Sequence, residues 1–223
     1  MTIIALSGKA RTGKDTFANV LVKRYNFQRV ALADPLRELC SKVFSMDIQD
    51  FLDDNKKDAR MDRVHIDFHH LDKIRDIVET EWGYTVSEDS RNKMEESHGV
   101  ELDTPRDLLR HVGTKILRNH VDDDIWVRLA ATKIKALGGK IVVTDCRFEN
   151  ERDFFAGIGA IKCLIKRNDN GNSKEHEFDL GSEDDYDVIF SNDGTLQQYI
   201  SNVDMWYSTS QHMFTLYRVW KYE

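Results

Sequence analysis

Two prolines and three cysteines in 223 residues leave little to interrupt helices and little to build a covalent framework from. The cysteines, Cys40, Cys146 and Cys163, are odd in number and far apart, with no CxxC spacing. That argues against a disulfide scaffold or a thiolate zinc site and fits a reducing compartment. Long apolar runs are missing too. No stretch approaches the ~20 residues of a membrane span, and the amino end (MTIIALSGKA) reaches Gly8 too soon for a secretory signal. A cytoplasmic protein without a membrane partner is the expectation. Positive charge is in deficit, with Lys+Arg 32 against Asp+Glu 39 and a formal net charge of −7. A general nucleic-acid-binding face is therefore not expected, because phosphate neutralisation needs a basic surface. A locally positive pocket for a small anion is still compatible with an acidic chain.

What is present is a core. Hydrophobic residues make up 40% of the chain, and the length suits one sizeable α/β domain, 1–223, with an inserted lobe. Short apolar runs at 2–7, 28–33, 141–144, 161–165 and 188–190 read as buried strands. Between them, 16–25 carries a helical apolar stripe, 150–158 reads as a helix stopped by Gly157 and Gly159, and another helix starts from Thr195 after Asn192-Asp193-Gly194. Both prolines mark helix starts. Asp34 is placed to cap a helix with Pro35 first, and Thr104 to cap another with Pro105 first and Asp107 three residues on. The charged, weakly patterned stretch 47–103 reads as helices and loops of the inserted lobe, and Asn168–Lys174 as a polar loop. Strands alternating with helices imply a parallel sheet of about five strands with flanking helices, binding its ligand at the carboxyl ends of the strands.

Gly8-Lys9-Ala10-Arg11-Thr12-Gly13-Lys14 matches GxxxxGK between a strand and a helix, the context that phosphate loops require. Glycines let successive N–H groups turn inward on a phosphate, the helix adds its positive end, and Lys14 supplies a point charge. The residue after the lysine, usually Ser or Thr, is Asp15, followed by Thr16. Two readings of Asp15 stay open: a direct or water-mediated Mg²⁺ ligand, and a helix cap.

From Ser7 to Thr16 the sequence resembles the deoxynucleoside monophosphate kinases of large tailed bacteriophages. The resemblance recurs at Leu32-Ala33-Asp34-Pro35-Leu36-Arg37, from Pro105 to Thr114, at Trp126-Val127, from Val143 to Glu151, and from Ser191 to Leu196. The GKD variant alone is also similar to animal-type phosphomevalonate kinases; the ordered set is what points to the phage enzymes. The resemblance implies a P-loop kinase fold with a helical substrate lobe at about 36–125. It implies transfer of the ATP γ-phosphoryl to a deoxynucleoside monophosphate with Mg²⁺, in the cytoplasm of a host cell. ATP would be held by Gly8, Lys9, Ala10, Arg11, Thr12, Gly13, Lys14, Asp15 and Thr16. The monophosphate would lie against Leu36, Arg37, Arg106, Gly113, Thr114, Trp126, Asp145, Arg147 and Glu151. His111 stands where the family leads one to expect an amide.

Side-chain chemistry adds detail. Asp145 ends a strand and suits the Mg²⁺ or the attacking oxygen; Arg147, two residues on, suits bidentate phosphate binding, with Glu151 bracing its guanidinium. Lys14, Asp145 and Arg147 are thus the catalytic candidates, and Asp15 and Asp145 the metal candidates. Arg106 and Arg110 share a helical face and could converge on a phosphate. Trp126 suits either base stacking or the core. Arg167, beside Lys166 and the polar loop containing Lys174, is placed to clamp ATP phosphates, and Gly194 to let the backbone approach the adenine. His65, His69 and His70, with Asp67 and Asp72, read more readily as a solvated face than as a metal site. Rival functions are a kinase for phosphomevalonate or dephospho-coenzyme A, and a nucleotide-binding module without turnover. A homodimer is compatible with all of them.

Overall fold

The computed structural model describes residues 1–168 and 180–221, with 212–221 described by backbone alone. The Lys174 end of the polar loop lies outside the described residues. In chain order the elements are β1 Thr2–Ser7, α1 Lys14–Tyr25, β2 Gln28–Val30, α2 Asp34–Phe44, α3 Ile48–Leu52, α4 Asp54–Lys57, β3 Val64–His65 and α5 Phe68–Thr80. Then follow α6 Glu88–Glu95, β4 Glu101–Leu102, α7 Pro105–Arg110, a π-helical segment His111–Arg118, α8 Ile125–Leu137, β5 Lys140–Val143 and α9 Glu149–Gly157. β6 Ile161–Lys166, a 3₁₀ turn Glu183–Asp185, β7 Val188–Ser191 and α10 Leu196–Lys221 complete the chain. They fall into two compact units, Met1–Leu32 with Ala130–Glu223, and Ala33–Leu129.

The first unit holds a five-stranded sheet in the order β2-β5-β1-β6-β7, with every pairing parallel. Its central strands are apolar on both faces, as a sheet covered by helices requires. Ile4, Leu6, Val142, Cys163 and Ile165 form one core with Phe17 and Leu21 of α1 and Tyr199, Val203 and Tyr207 of α10. Phe17 meets Phe190 edge to face at 4.9 Å. Tyr25 donates to the Asp204 carboxylate at 2.7 Å, tying α1 to α10. α1 begins two residues earlier than the apolar stripe suggested, at Lys14, because its first turn carries polar residues facing away from the core. β2 ends at Val30 rather than Ala33: the Leu32 N–H is bonded to Asp145 and Ala33 already turns as the N-cap of α2. α9 starts one residue early, at Glu149, and Thr195 caps α10 instead of opening it, exchanging bonds with Gln198.

In the second unit, α2 packs against α5, α3 and α7. Leu39, Val43, Phe51, Leu71, Ile74, Val78 and Leu108 are buried. Thr104 caps α7 as its sequence indicates, its hydroxyl accepting from the Asp107 N–H at 3.1 Å. Asp34 does not cap α2: it is the first helical residue and pairs with Arg37 at 2.8 Å, one turn on. The stretch 47–103 also contains what its charge pattern conceals, the antiparallel pair β3–β4, with Val64 opposite Leu102 and His65 opposite Glu101. The three free cysteines are buried. No helix among the described residues is long and apolar enough to cross a membrane.

Candidate functional site

Where β1 ends, the chain must reverse into α1 within a few residues, and Gly8–Lys14 does so with an unusual backbone. Gly8 has φ +145° and Gly13 φ +105°, both closed to ordinary side chains. A Cβ on Gly8 would stand 2.4 Å from the Ile165 carbonyl oxygen, and one on Gly13 2.5 Å from Asn192 Nδ2. Arg11 also adopts the left-handed region, φ 61°. Such alternation turns successive N–H groups into a concavity suited to an anion. The loop is fastened from within and from afar. Thr12 Oγ1 donates to the Lys9 carbonyl at 2.9 Å, the buried Asn192 amide donates to the Thr12 carbonyl at 2.8 Å, and Tyr199 donates to the Gly13 carbonyl at 3.3 Å. Lys14 Nζ donates to the Gly8 and Lys9 carbonyls at 2.8 and 2.6 Å, which holds its charge across the loop.

Beside the loop lies a cleft of about 250 Å³ lined by Arg11, Gly13, Asp15, Thr16, Arg167, Asn192, Gly194 and Leu196. Six of the residues named from sequence for ATP, Arg11, Gly13, Asp15, Thr16, Arg167 and Gly194, thus share one cavity. Leu196, 64% exposed there, offers an apolar surface that the sequence did not single out. Asn192 and Tyr199, which brace the loop from about 180 residues away, carried no local signal of that role. Asp193 accepts from the Asn168 N–H at 2.6 Å, tying the chain after β6 to the chain after β7. This bond, with that from the Ser191 hydroxyl, holds its carboxyl below the usual range.

Asp15 does not cap α1. The N-cap is Gly13, with no side-chain bond, and Asp15 sits in the first turn, where a negative charge suits the helix dipole. Its carboxylate pairs instead with Arg29 of β2. At the end of β5, Asp145 accepts from the Leu32 N–H at 2.7 Å. Arg147 is held through its own peptide. Its N–H donates to Glu151 at 2.6 Å, with the Phe148 N–H adding a bond at 3.1 Å, and its carbonyl accepts from Arg152 at 3.2 Å. Glu151 and Arg152 are 3% and 5% exposed. Glu151, expected from sequence to brace the Arg147 guanidinium, sets its carboxylate on the Arg147 and Phe148 N–H groups at the start of α9. The part of Arg152 was missed.

The second unit contains the other acceptor candidates. Arg37 pairs with Asp34, and its Nε is buried without a hydrogen-bond partner. Gly113 lies in the π-helical segment against Leu36, whose Cδ2 would be 2.6 Å from an added Cβ; Leu36 itself is 8% exposed. Arg106 and Arg110 each take a different carboxylate partner. Arg106 makes a two-pronged pair with Asp58, which raises its pKa, and Arg110 pairs with Asp107 at 2.9 Å. Trp126 is 6% exposed and stands edge-on to Trp82 at 5.9 Å, so its geometry is that of a core residue. Thr114 is half-buried in the same π-helical segment, a form of helix frequent at functional sites. His111 Nε2 lies 3.0 Å from Ser97 Oγ, and burial lowers its pKa. His70 closes a capping box with Asp67 and stacks on Phe44. Among the described residues no group of His, Cys, Asp and Glu is arranged to hold a metal.

A phosphotransferase is the class to which the sequence comparisons assign this chain. The sequence pattern of the family described as Deoxynucleotide monophosphate kinase matches residues 2–77 and 63–203. The chain belongs to that family. A protein of Acanthamoeba polyphaga mimivirus named for the same activity is 25% identical, over 91% of this chain and 94% of its own. The Deoxynucleotide monophosphate kinase of Enterobacteria phage T4 is 22% identical over 91% of this chain and 97% of its own. The Deoxynucleoside-5'-monophosphate kinase of Escherichia phage T5 is 26% identical over 67% and 69%. An unliganded sugar kinase from Janibacter sp. HTCC2649 superposes with a TM-score of 0.39 at 10% identity, below the level at which a shared fold follows.

Proposed function

We propose that the chain transfers the γ-phosphoryl of ATP to a 2′-deoxynucleoside 5′-monophosphate, giving the diphosphate and ADP. The observation that carries this is the Gly8–Lys14 loop, inverted by two positive-φ glycines and opening beside the cleft with Lys14 across it. It stands in a chain whose family pattern runs from residue 2 to 203. On this reading the loop is a P-loop. Its N–H groups and Lys14 take the β- and γ-phosphates, Thr16 an α-phosphate oxygen, and Arg167 closes on the same phosphates. Gly194 and Leu196 face the adenine.

Magnesium fits the donor set. The ion prefers oxygen ligands, keeps several waters and needs only one or two carboxylates beside the phosphates. Asp15, 72% exposed beside the cleft, and Asp145 are those carboxylates. When bound, the ion neutralises charge on the β- and γ-phosphates. Arg147, held through its own N–H and carbonyl, positions the acceptor phosphate for in-line attack. Such positioning and electrostatics suffice for phosphoryl transfer without a covalent enzyme intermediate. The residues Leu36 to Ile125 form the substrate lobe, and the protein acts in the cytoplasm of a host cell.

The test is ADP release measured with each of the four deoxynucleoside monophosphates, their ribose counterparts, phosphomevalonate and dephospho-coenzyme A as acceptors. Turnover with one or more deoxynucleotides supports the proposal. Turnover confined to a non-nucleotide acceptor, or none at all, overturns it.

A further inference from the structure

Phosphate loops of the GxxxxGK type ordinarily carry a neutral Ser or Thr after the lysine. Here Asp15 puts a fixed negative charge at the edge of the cleft, close to where the most anionic part of ATP is read to lie. That charge has a partner. Arg29 Nη2 donates to Asp15 Oδ1, a contact between a β2 side chain and the first turn of α1. Arg29 is anchored: the next residue, Val30, is fully buried, and its carbonyl accepts from the Thr144 N–H at 3.2 Å, fixing the strand beside β5. Only one carboxylate oxygen enters the bond with Arg29.

We propose that Arg29 is a positioning residue, and that the Asp15–Arg29 pair acts as one near-neutral unit in place of the usual hydroxyl. This rests on the ATP reading of the loop. Without Arg29, a bare carboxylate would oppose the phosphates whenever no cation intervened. With Arg29, the loop accepts nucleotide at no electrostatic penalty, while the Asp15 carboxylate stays oriented for a metal ion. Partners of this kind behind a ligating carboxylate typically tune metal affinity as well as orientation.

The experiment is calorimetric titration of ATP, in EDTA and in excess Mg²⁺ at low salt, into wild type, Arg29→Ala, Arg29→Gln, Asp15→Ser and Asp15→Ser/Arg29→Ala. One unscreened charge–charge repulsion in an exposed site predicts that Arg29→Ala weakens metal-free ATP binding about fivefold. Arg29→Gln, which keeps the length of the side chain and is the gentler change to the fold, should do the same. The loss should shrink to within about twofold in Mg²⁺ or about 1 M salt, because either supplies the missing positive charge or screens the repulsion. Asp15→Ser/Arg29→Ala, which removes both charges of the pair, should return metal-free binding to within about twofold of wild type. Unchanged metal-free binding in both Arg29 variants overturns the inference, as does a double variant that binds metal-free ATP as weakly as Arg29→Ala. A Lys14→Ala control separates the two levels: if it binds ATP as wild type does, the ATP reading of the loop fails. If Lys14→Ala weakens ATP but the Arg29 variants bind as wild type does, or the double variant fails to restore binding, that reading stands and only the role of Arg29 is lost.

Discussion

At the scale of single residues, Lys14 and Asn192 show two ways in which a side chain serves one loop. Lys14 reaches back to the Gly8 and Lys9 carbonyls. Lys14→Ala is expected to cut kcat by about a hundred- to a thousandfold, the ~2.7–4 kcal/mol typical of a donor aimed at growing transition-state charge, with the melting temperature nearly unchanged. Steady-state kinetics beside a thermal melt checks both. Asn192 lines the same cleft but spends its amide on the loop backbone. Its amide holds the Thr12 carbonyl in a buried position, and Asn192→Ala leaves that carbonyl unsatisfied, costing about 1–3 kcal/mol. ATP affinity should fall in that variant while acceptor KM stays within about twofold; equal losses for both ligands would contradict a role confined to the loop. The GxxxxGK spacing made the turn from β1 into α1 legible in the sequence, because the motif and the backbone it shapes are contiguous. The support from Asn192 and Tyr199 was not, because folding alone brings them to the loop from about 180 positions away.

At the scale of elements, what could be read depended on whether the signal was local. Thr104-Pro105 announces α7 because a capping hydroxyl and a residue with fixed φ act within one turn. Thr104→Ala should lower stability by about 1 kcal/mol, seen as a fall of about 2–4 °C in Tm, with kcat unaffected. Asp34-Pro35 looks the same on paper, yet Asp34 became the first helical residue, since its carboxylate found Arg37 one turn on. β3 and β4 were illegible because strands of two residues show no alternation, and their pairing joins positions 64 and 102. The π-helical segment is equally hidden from sequence, since its apolar stripe differs little from that of an α-helix. Its Gly113 is nonetheless demanding. Gly113→Ala must push Leu36 aside within a buried contact, and overpacking of that kind costs about 1–3 kcal/mol. Leu36→Ala in the same chain should recover part of that loss, and denaturant midpoints of the single and double variants measure the coupling.

At the scale of the whole molecule, five apolar runs in the right order sufficed to foresee the parallel sheet, whereas the stretch 47–103, rich in charge and poor in pattern, gave no element bounds. The titrating groups give the molecule a direction in pH. Burial lowers the pKa of His70 and His111, so both favour the neutral form in the folded state. A histidine with a lowered folded pKa contributes stability above its unfolded value near 6.5 and loses it as pH falls through that value toward the folded one. Asp67 and Asp193, also lowered, follow the same sign at more acid pH, below their unfolded values near 4. Denaturant midpoints should therefore decline from pH 7 to pH 5, and His111→Gln should flatten part of that decline. A midpoint that rises on acidification would contradict the burial of these imidazoles.

The central claim is a transfer of phosphate between two nucleotides, and ³¹P NMR of a single reaction tests it directly. Purified protein, ATP, Mg²⁺ and a deoxynucleoside monophosphate are followed together, each phosphorus resolved by its own resonance. The account predicts that the ATP γ-signal is lost in step with the appearance of deoxynucleoside diphosphate and ADP, one for one, without inorganic phosphate, and that Lys14→Ala slows all three changes together. Loss of ATP to ADP and free phosphate, with the monophosphate untouched, would contradict it.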